Sequence, residues 1–180
     1  VLSRRQRQMC IRDSNNIYLV GFMGCGKTSV LKKIRQKIQS NTFDLDENIE
    51  KKHGSISKIF ESKGEKYFRQ IELETFQMLP KNDSVVALGG GSLEIKNIFD
   101  ELKNNGFTFY LKDTFENLWN QIQNTERPLV KEGKEKIYKL FQSREDLYNQ
   151  SNHILEISDK KIKNIAEIII KNSWLKNEVI

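Results

Sequence analysis

The segment Gly21-Phe-Met-Gly-Cys-Gly-Lys-Thr28 constrains this chain more than any other stretch. It fits G-x-x-x-x-G-K-[ST] in full, and its setting matters as much as its letters. NIYLV (16–20) runs into it, an apolar segment of strand length. KTSVLKKIRQKI leaves it, with Val30, Leu31, Ile34 and Ile38 at helical spacing. A strand feeding a glycine loop that opens a helix aims several backbone N–H groups at one point, backed by the positive end of the helix. Such a point holds phosphate. Lys27 can bridge β- and γ-phosphates, and Thr28 can ligate Mg²⁺. A glycine turn that merely caps a helix is the other reading, and strand, loop and helix in this order weigh against it. Cys25 is small enough for the loop. Helix N-termini lower thiol pKa, but a catalytic thiolate is not the favoured reading.

The rest of the chain keeps the alternation. Extended FDLD (43–46) precedes a helical stretch to Gly54, a short helix to Gly64 and a longer one ended by Pro80. VVAL (85–88) is a strand. A helix through NIFDELKNN stops at Gly106, FTFYL is a strand and TFENLWNQIQ a helix. NTERPLVKEGKEK (124–136) is polar and reads as a mobile loop. KIYKLFQSREDLYNQ is helical, HILEIS a last strand and KIKNIAEIIIKNSWL a closing helix. Strands alternating with helices imply a parallel sheet covered on both faces. The segment from about 47 to 79 has helices and no strand, so it reads as an inserted subdomain.

With 180 residues, the chain suffices for one domain with a real core. No stretch approaches the roughly 18 apolar residues of a membrane span, and no secretory signal is evident. Residues 1–14 differ from the remainder. They carry Arg4, Arg5, Arg7 and Arg12 against Asp13, half of the formal net charge of +6. They read as a sequence scar or basic arm and are set aside. The remaining +3 suits anionic small ligands and is weak support for nucleic acid. Cys10 and Cys25 form no disulfide framework, which fits a reducing, cytoplasmic setting. His53 and His153 have no metal-ligand spacing.

Three further stretches carry chemistry. In Phe43-Asp44-Leu45-Asp46, residues two apart share one face of an extended chain, so both carboxylates would point together. One can support Mg²⁺ while the other takes a proton from an attacking hydroxyl. Asp46 could instead simply cap the next helix, and capping and catalysis are compatible. Arg69 and Glu72 share a helix face, either as an exposed ion pair or as an arginine held to grip a ligand carboxylate. Gly89, Gly90 and Gly91 end the third strand, where an aspartate that helps hold Mg²⁺ is usual beside such a loop, and a side chain there would block a ligand's approach to the backbone.

Taken in order, the phosphate loop preceded by GFMG, D-x-D, F-R-x-x-E, G-G-G, R-P-L and R-x-x-L-Y make the chain resemble the shikimate kinase family from about residue 16 to 172. The resemblance implies a three-layer α/β/α fold of nucleoside-monophosphate-kinase type. Its five-stranded parallel sheet would run 2-3-1-4-5, with a substrate subdomain at about 44–79 and a lid at about 123–136, all within one domain from 15 to 180. It implies transfer of the γ-phosphoryl of MgATP to the 3-hydroxyl of shikimate, in aromatic amino acid biosynthesis, by a monomer with no nucleic-acid or membrane partner. By position, Lys27, Asp46 and Arg127 would be catalytic. Gly21, Gly24, Cys25, Gly26, Lys27, Thr28, Ser29 and Arg127 would hold ATP. Thr28 and Asp44 would serve the metal, Asp44 through water. Arg69 and Arg144 would clamp the substrate carboxylate, with Glu72 orienting Arg69. Gly89, Gly90 and Gly91 would line the substrate, with the Gly90 N–H as donor, and Phe60 and Phe68 would form apolar walls.

The chain departs from the family pattern in three places. Arg144-Glu-Asp-Leu-Tyr148 lacks the proline common before that leucine, which is expected to loosen the helix start. Asn120 stands where an arginine beside adenine is common. The turn at His53-Gly54 is one residue short. Two rival readings stay open on sequence: a gluconate-type kinase on the same scaffold, and a nucleotide-dependent nucleic-acid module using the basic arm.

Overall fold

The computed structural model describes residues 16–180. The basic segment 1–14 and Cys10 lie outside them. Five parallel strands form one sheet in the order β2-β3-β1-β4-β5. They are β1 (Asn16–Val20), β2 (Asn41–Asp44), β3 (Ser84–Ala87), β4 (Gly106–Lys112) and β5 (His153–Glu156). Helices flank the sheet on both faces, giving the expected three-layer α/β/α arrangement.

β1 is central and buried along its whole length, which is why it reads as a continuous apolar run. Its one polar residue is Asn16, 1% exposed. Asn16 accepts from the Ser84 N–H at 3.1 Å and donates to the Pro80 carbonyl at 2.7 Å, so its burial is compensated and it fixes the start of β3 beside β1. Parallel pairing then brings the C-terminal ends of β1, β2 and β3 side by side, with Leu19 opposite Ala87 and Asp44 also opposite Ala87. The phosphate loop, the end of β2 and the three glycines thereby converge at one edge.

α1 (Lys27–Arg35) buries Val30, Leu31 and Ile34 and packs on α7 (Ile162–Lys171). Ile38 does not continue its stripe. The helix ends at Arg35, and Ile38 pairs antiparallel with Val179 instead. α2 (Leu45–His53) and α3 (Ile56–Gln77) form the strand-free segment between β2 and β3. α3 breaks at Gly64 (φ 77°, ψ 172°), so the two expected helices lie end to end across a kink.

α4 (Lys96–Asn105) leads into β4 without a left-handed stop; Gly106 is extended, at φ −118°. α5 (Phe115–Ile122) is capped by the Thr114 hydroxyl, which accepts from the Asn117 N–H at 3.3 Å. The polar segment expected as a mobile loop contains a 3-10 turn, Pro128–Glu132, which buries its own Val130. Proline at its first position presets the backbone for such a turn. α6 (Lys134–Tyr148) follows. The last helix is shorter than expected. The Asn172 side chain donates to the Ile168 carbonyl at 2.7 Å, Ser173 is extended, and a separate 3-10 turn covers Trp174–Asn177. Asn and Ser compete with the helix for its own backbone groups. No helix among the described residues is long and apolar enough to cross a membrane.

Candidate active site

The phosphate loop needs left-handed backbone, and glycine supplies it: Gly24 and Gly26 have φ of 86° and 85°. Gly26 precedes α1 without any side-chain cap, which leaves the first N–H groups of the helix for a ligand. Gly24, Cys25, Gly26, Lys27, Thr28 and Ser29 line one cavity of about 540 Å³. Gly21 does not line it. Its carbonyl accepts from Lys27 Nζ at 2.7 Å, and the Phe22 carbonyl accepts from the same amine at 3.2 Å. Cys25 is buried, with Sγ 3.6 Å from that amine. Asn120 is exposed and lies off the cavity wall, which is formed there by Gln121, Ile122, Thr125, Ser158, Lys160 and Ile162.

Asp44 and Asp46 meet in a different way from that expected. The chain is extended only through Asp44; Leu45 is already the first residue of α2. Asp44, not Asp46, is the cap: Oδ1 accepts from the Glu47 N–H at 3.2 Å while Oδ2 accepts from Thr28 Oγ1 at 2.6 Å. That hydroxyl–carboxylate pair is an all-oxygen donor set suited to Mg²⁺, a hard cation that keeps waters and phosphate oxygens for its other positions. Asp46 sits in the first turn of α2 and faces the same space. Burial pushes its carboxyl up to about 6, the charges of Glu72 and Asp44 add to the rise, and Lys27 and Arg127 oppose it.

A second cavity, about 420 Å³, lies beside the first. Arg69, Glu72, Gly89, Gly90, Gly91, Arg144, Phe60 and Phe68 all line it. Phe60 and Phe68 pack with ring centroids 4.7 Å apart. Glu72 is fully buried, and its carboxylate accepts from Arg69 Nη1 at 2.7 Å and from Ser92 Oγ at 2.5 Å. The Arg69–Glu72 pair is therefore not the exposed surface pair that spacing alone allowed. Burial works against the Arg69 charge, and Glu72 and Glu65 outweigh it. Arg144 is 2% exposed, and its Nε has no hydrogen-bond partner, which leaves a donor for a ligand. It lies well inside α6, so the missing proline does not loosen a helix start; a proline at 146 would fall within the helix.

The glycines make these contacts sterically feasible. A Cβ on Gly91 would stand 2.3 Å from Arg69 Nη2, and one on Gly89 would stand 2.7 Å from Glu72 Oε1. Sequence reasoning missed three residues here. Ser92 holds Glu72, the Tyr148 hydroxyl donates to the Gly90 carbonyl, and Glu94 contacts Arg144. Tyr148 ends the R-x-x-L-Y motif, and Ser92 and Glu94 follow G-G-G, but the motifs give no sign of these pairings. Among the described residues no cluster of three or more His, Cys, Asp or Glu could hold a metal.

A parallel sheet in this order, a complete phosphate loop and an adjoining polar cavity define a phosphate-loop kinase of nucleoside-monophosphate-kinase type. Comparison with known proteins agrees at the level of fold. Deoxyadenosine kinase from M. mycoides superposes with a TM-score of 0.56 at 16% identity, covering 90% of this chain and 98% of that one.

Closer relatives narrow the class. The family model described as shikimate kinase matches residues 23–173. A shikimate kinase of Clostridium botulinum (strain Alaska E43 / Type E3) is 37% identical over 88% of this chain and 99% of its own. One from Dictyoglomus turgidum is 41% identical over 87% and 96%. The structure of shikimate kinase from Acinetobacter baumannii in complex with shikimate superposes with a TM-score of 0.79 at 30% identity, covering 91% of this chain and 94% of that one. The chain belongs to the shikimate kinase family, and it is an ATP-dependent kinase.

Proposed function

We propose that the protein transfers the γ-phosphoryl group of ATP to the 3-hydroxyl of shikimate. The observation that carries this reading is the position of Asp46 and Arg127. Both line the wall shared by the phosphate-loop cavity and the cavity of the arginine pair. A group moving between the two ligands passes between those side chains.

The two cavities divide the work. Gly24, Cys25, Gly26 and Ser29 cradle the nucleotide phosphates, and Lys27 turns from its carbonyl partners to the β- and γ-oxygens. Arg69 and Arg144 hold the shikimate carboxylate, a planar anion that a guanidinium fork matches bidentately. Glu72 keeps Arg69 in place. The Gly90 N–H binds the acceptor, between Gly89 and Gly91, while Phe60 and Phe68 cover its apolar face.

Asp46 accepts the proton of the attacking hydroxyl. A carboxyl near 6 is largely ionised at neutral pH, yet basic enough to take a proton in the transition state. Arg127 stabilises charge on the transferring group. Thr28 and Asp44 are the residues that would hold Mg²⁺, which when bound neutralises charge on the phosphate oxygens. Residues 44–79 act as the acceptor-binding subdomain. Residues 123–136 act as a lid that excludes water, the competing acceptor. Incubation with MgATP and shikimate should give equal amounts of ADP and a product carrying phosphate on the 3-oxygen. ADP release with unmodified shikimate would contradict the reading.

A further inference from the structure

Glu94 has no part in the mechanism above, yet it touches both arginines. It closes the 3-10 turn Ser92–Glu94 that follows the glycines. Its Oε2 accepts from Arg144 Nη2 at 2.7 Å and lies 3.6 Å from Arg69 Nη2. Arg69 also holds Glu72 at 2.7 Å and Glu65 at 3.0 Å. Two guanidinium groups therefore face three carboxylates. Another carboxylate entering this fork meets an excess of negative charge unless a resident one leaves. Glu72 is fully buried and held by Ser92, so it stays. Glu65 reaches Arg69 alone among the described residues. Glu94 bridges the pair, and its side chain is 35% exposed, so it can turn to water at small cost.

We infer that Glu94 is a resident carboxylate on the arginine pair, and that an acceptor carboxylate binds by exchanging with it. This rests on the reading of shikimate as acceptor. Glu94 then acts as a positioning residue through Arg69 and Arg144. It holds the two guanidinium groups through Oε2 and sets the concentration at which the acceptor displaces it. The exchange is complete before phosphoryl transfer, so its cost falls on ground state and transition state alike. Such an effect shows in KM and not in kcat.

Steady-state kinetics of Glu94→Gln and Glu94→Asp test the inference, with calorimetric titration of shikimate as a second readout. Gln keeps the size and removes the charge; Asp keeps the charge and draws it back by one methylene. For Glu94→Gln, KM and Kd for shikimate are expected to fall about threefold to tenfold, the scale of one partly exposed charge-assisted contact. The Asp variant should fall between it and wild type. The KM for ATP should move by less than about twofold, and the change should fall on KM for shikimate rather than on kcat. In Glu94→Gln, a raised KM for shikimate would mean that Glu94 braces Arg144 for the substrate, and an unchanged KM that it does not compete at all; either would overturn the inference while leaving the acceptor assignment intact. Failure of wild type to bind or turn over shikimate would overturn both.

Discussion

Asp46 shows best how a single residue is tuned here. Its carboxyl is raised to about 6, first by burial and then by Glu72 and Asp44. The base form grows as pH rises, so kcat/KM for shikimate should climb through about pH 6 and level off above it. Below that point it should fall about tenfold per unit. The same shift has a stability consequence. The native state binds this proton more tightly than the unfolded chain does, so the contribution is fully present below about pH 4 and is lost as pH rises through 6. Asp46→Asn removes that penalty. It should raise Tm at pH 7 while cutting kcat on the order of a hundredfold or more, with shikimate binding largely kept. Equal turnover of variant and wild type would remove Asp46 as base. At Gly91 the added methyl of Gly91→Ala would push on the Arg69 guanidinium. KM for shikimate should rise at least tenfold, with KM for ATP little changed. These residues were legible because motif spacing names them. Ser92, Glu94 and the role of Tyr148 within its motif were not, because their partners Glu72, Arg144 and Gly90 are distant in sequence and are brought together by the fold.

Among the elements, α3 lines the arginine cavity on both sides of a break. Phe60 lies before Gly64, Phe68 and Arg69 after it. A methyl on Gly64 would meet nothing within 4 Å, so the site is open in space and restricted only in backbone angle, at φ 77°. Gly64→Ala therefore isolates the dihedral cost. It should lower stability by about 1–3 kcal/mol in a denaturant titration, the cost of a side chain at positive φ with ψ at 172°. By favouring a straight helix it should raise KM for shikimate more than KM for ATP; unchanged stability would mean the kink tolerates any residue. Most elements were legible from apolar period and glycine or proline punctuation. The errors fall where side chains or tertiary pairing decide the ends. Asp44 turns the chain from strand to helix one residue before Leu45, and Asn172 and Ser173 cut the last helix short. Ile38 leaves its helical stripe for a bridge to Val179 that no local signal announces.

At the scale of the whole molecule, the fold brings two cavities to one wall. Parallel strands put the ends of β1, β2 and β3 at the same edge, and Arg127 reaches that edge from the segment between α5 and α6. Arg127→Ala should lower kcat by about a hundredfold or more, with a smaller change in KM for shikimate, if its contact is with charge that moves during transfer, as proposed. The sequence family and the sheet order were legible together, since six short motifs in one order leave few folds that can hold them. Selection of shikimate as acceptor by the arginine-lined cavity is the step on which the proposed function rests. Its most direct test is ADP release from MgATP with shikimate, quinate, gluconate or no acceptor. Turnover with shikimate far above the other three is the expected result. Equal turnover with gluconate, or ADP release that needs no acceptor, would contradict it.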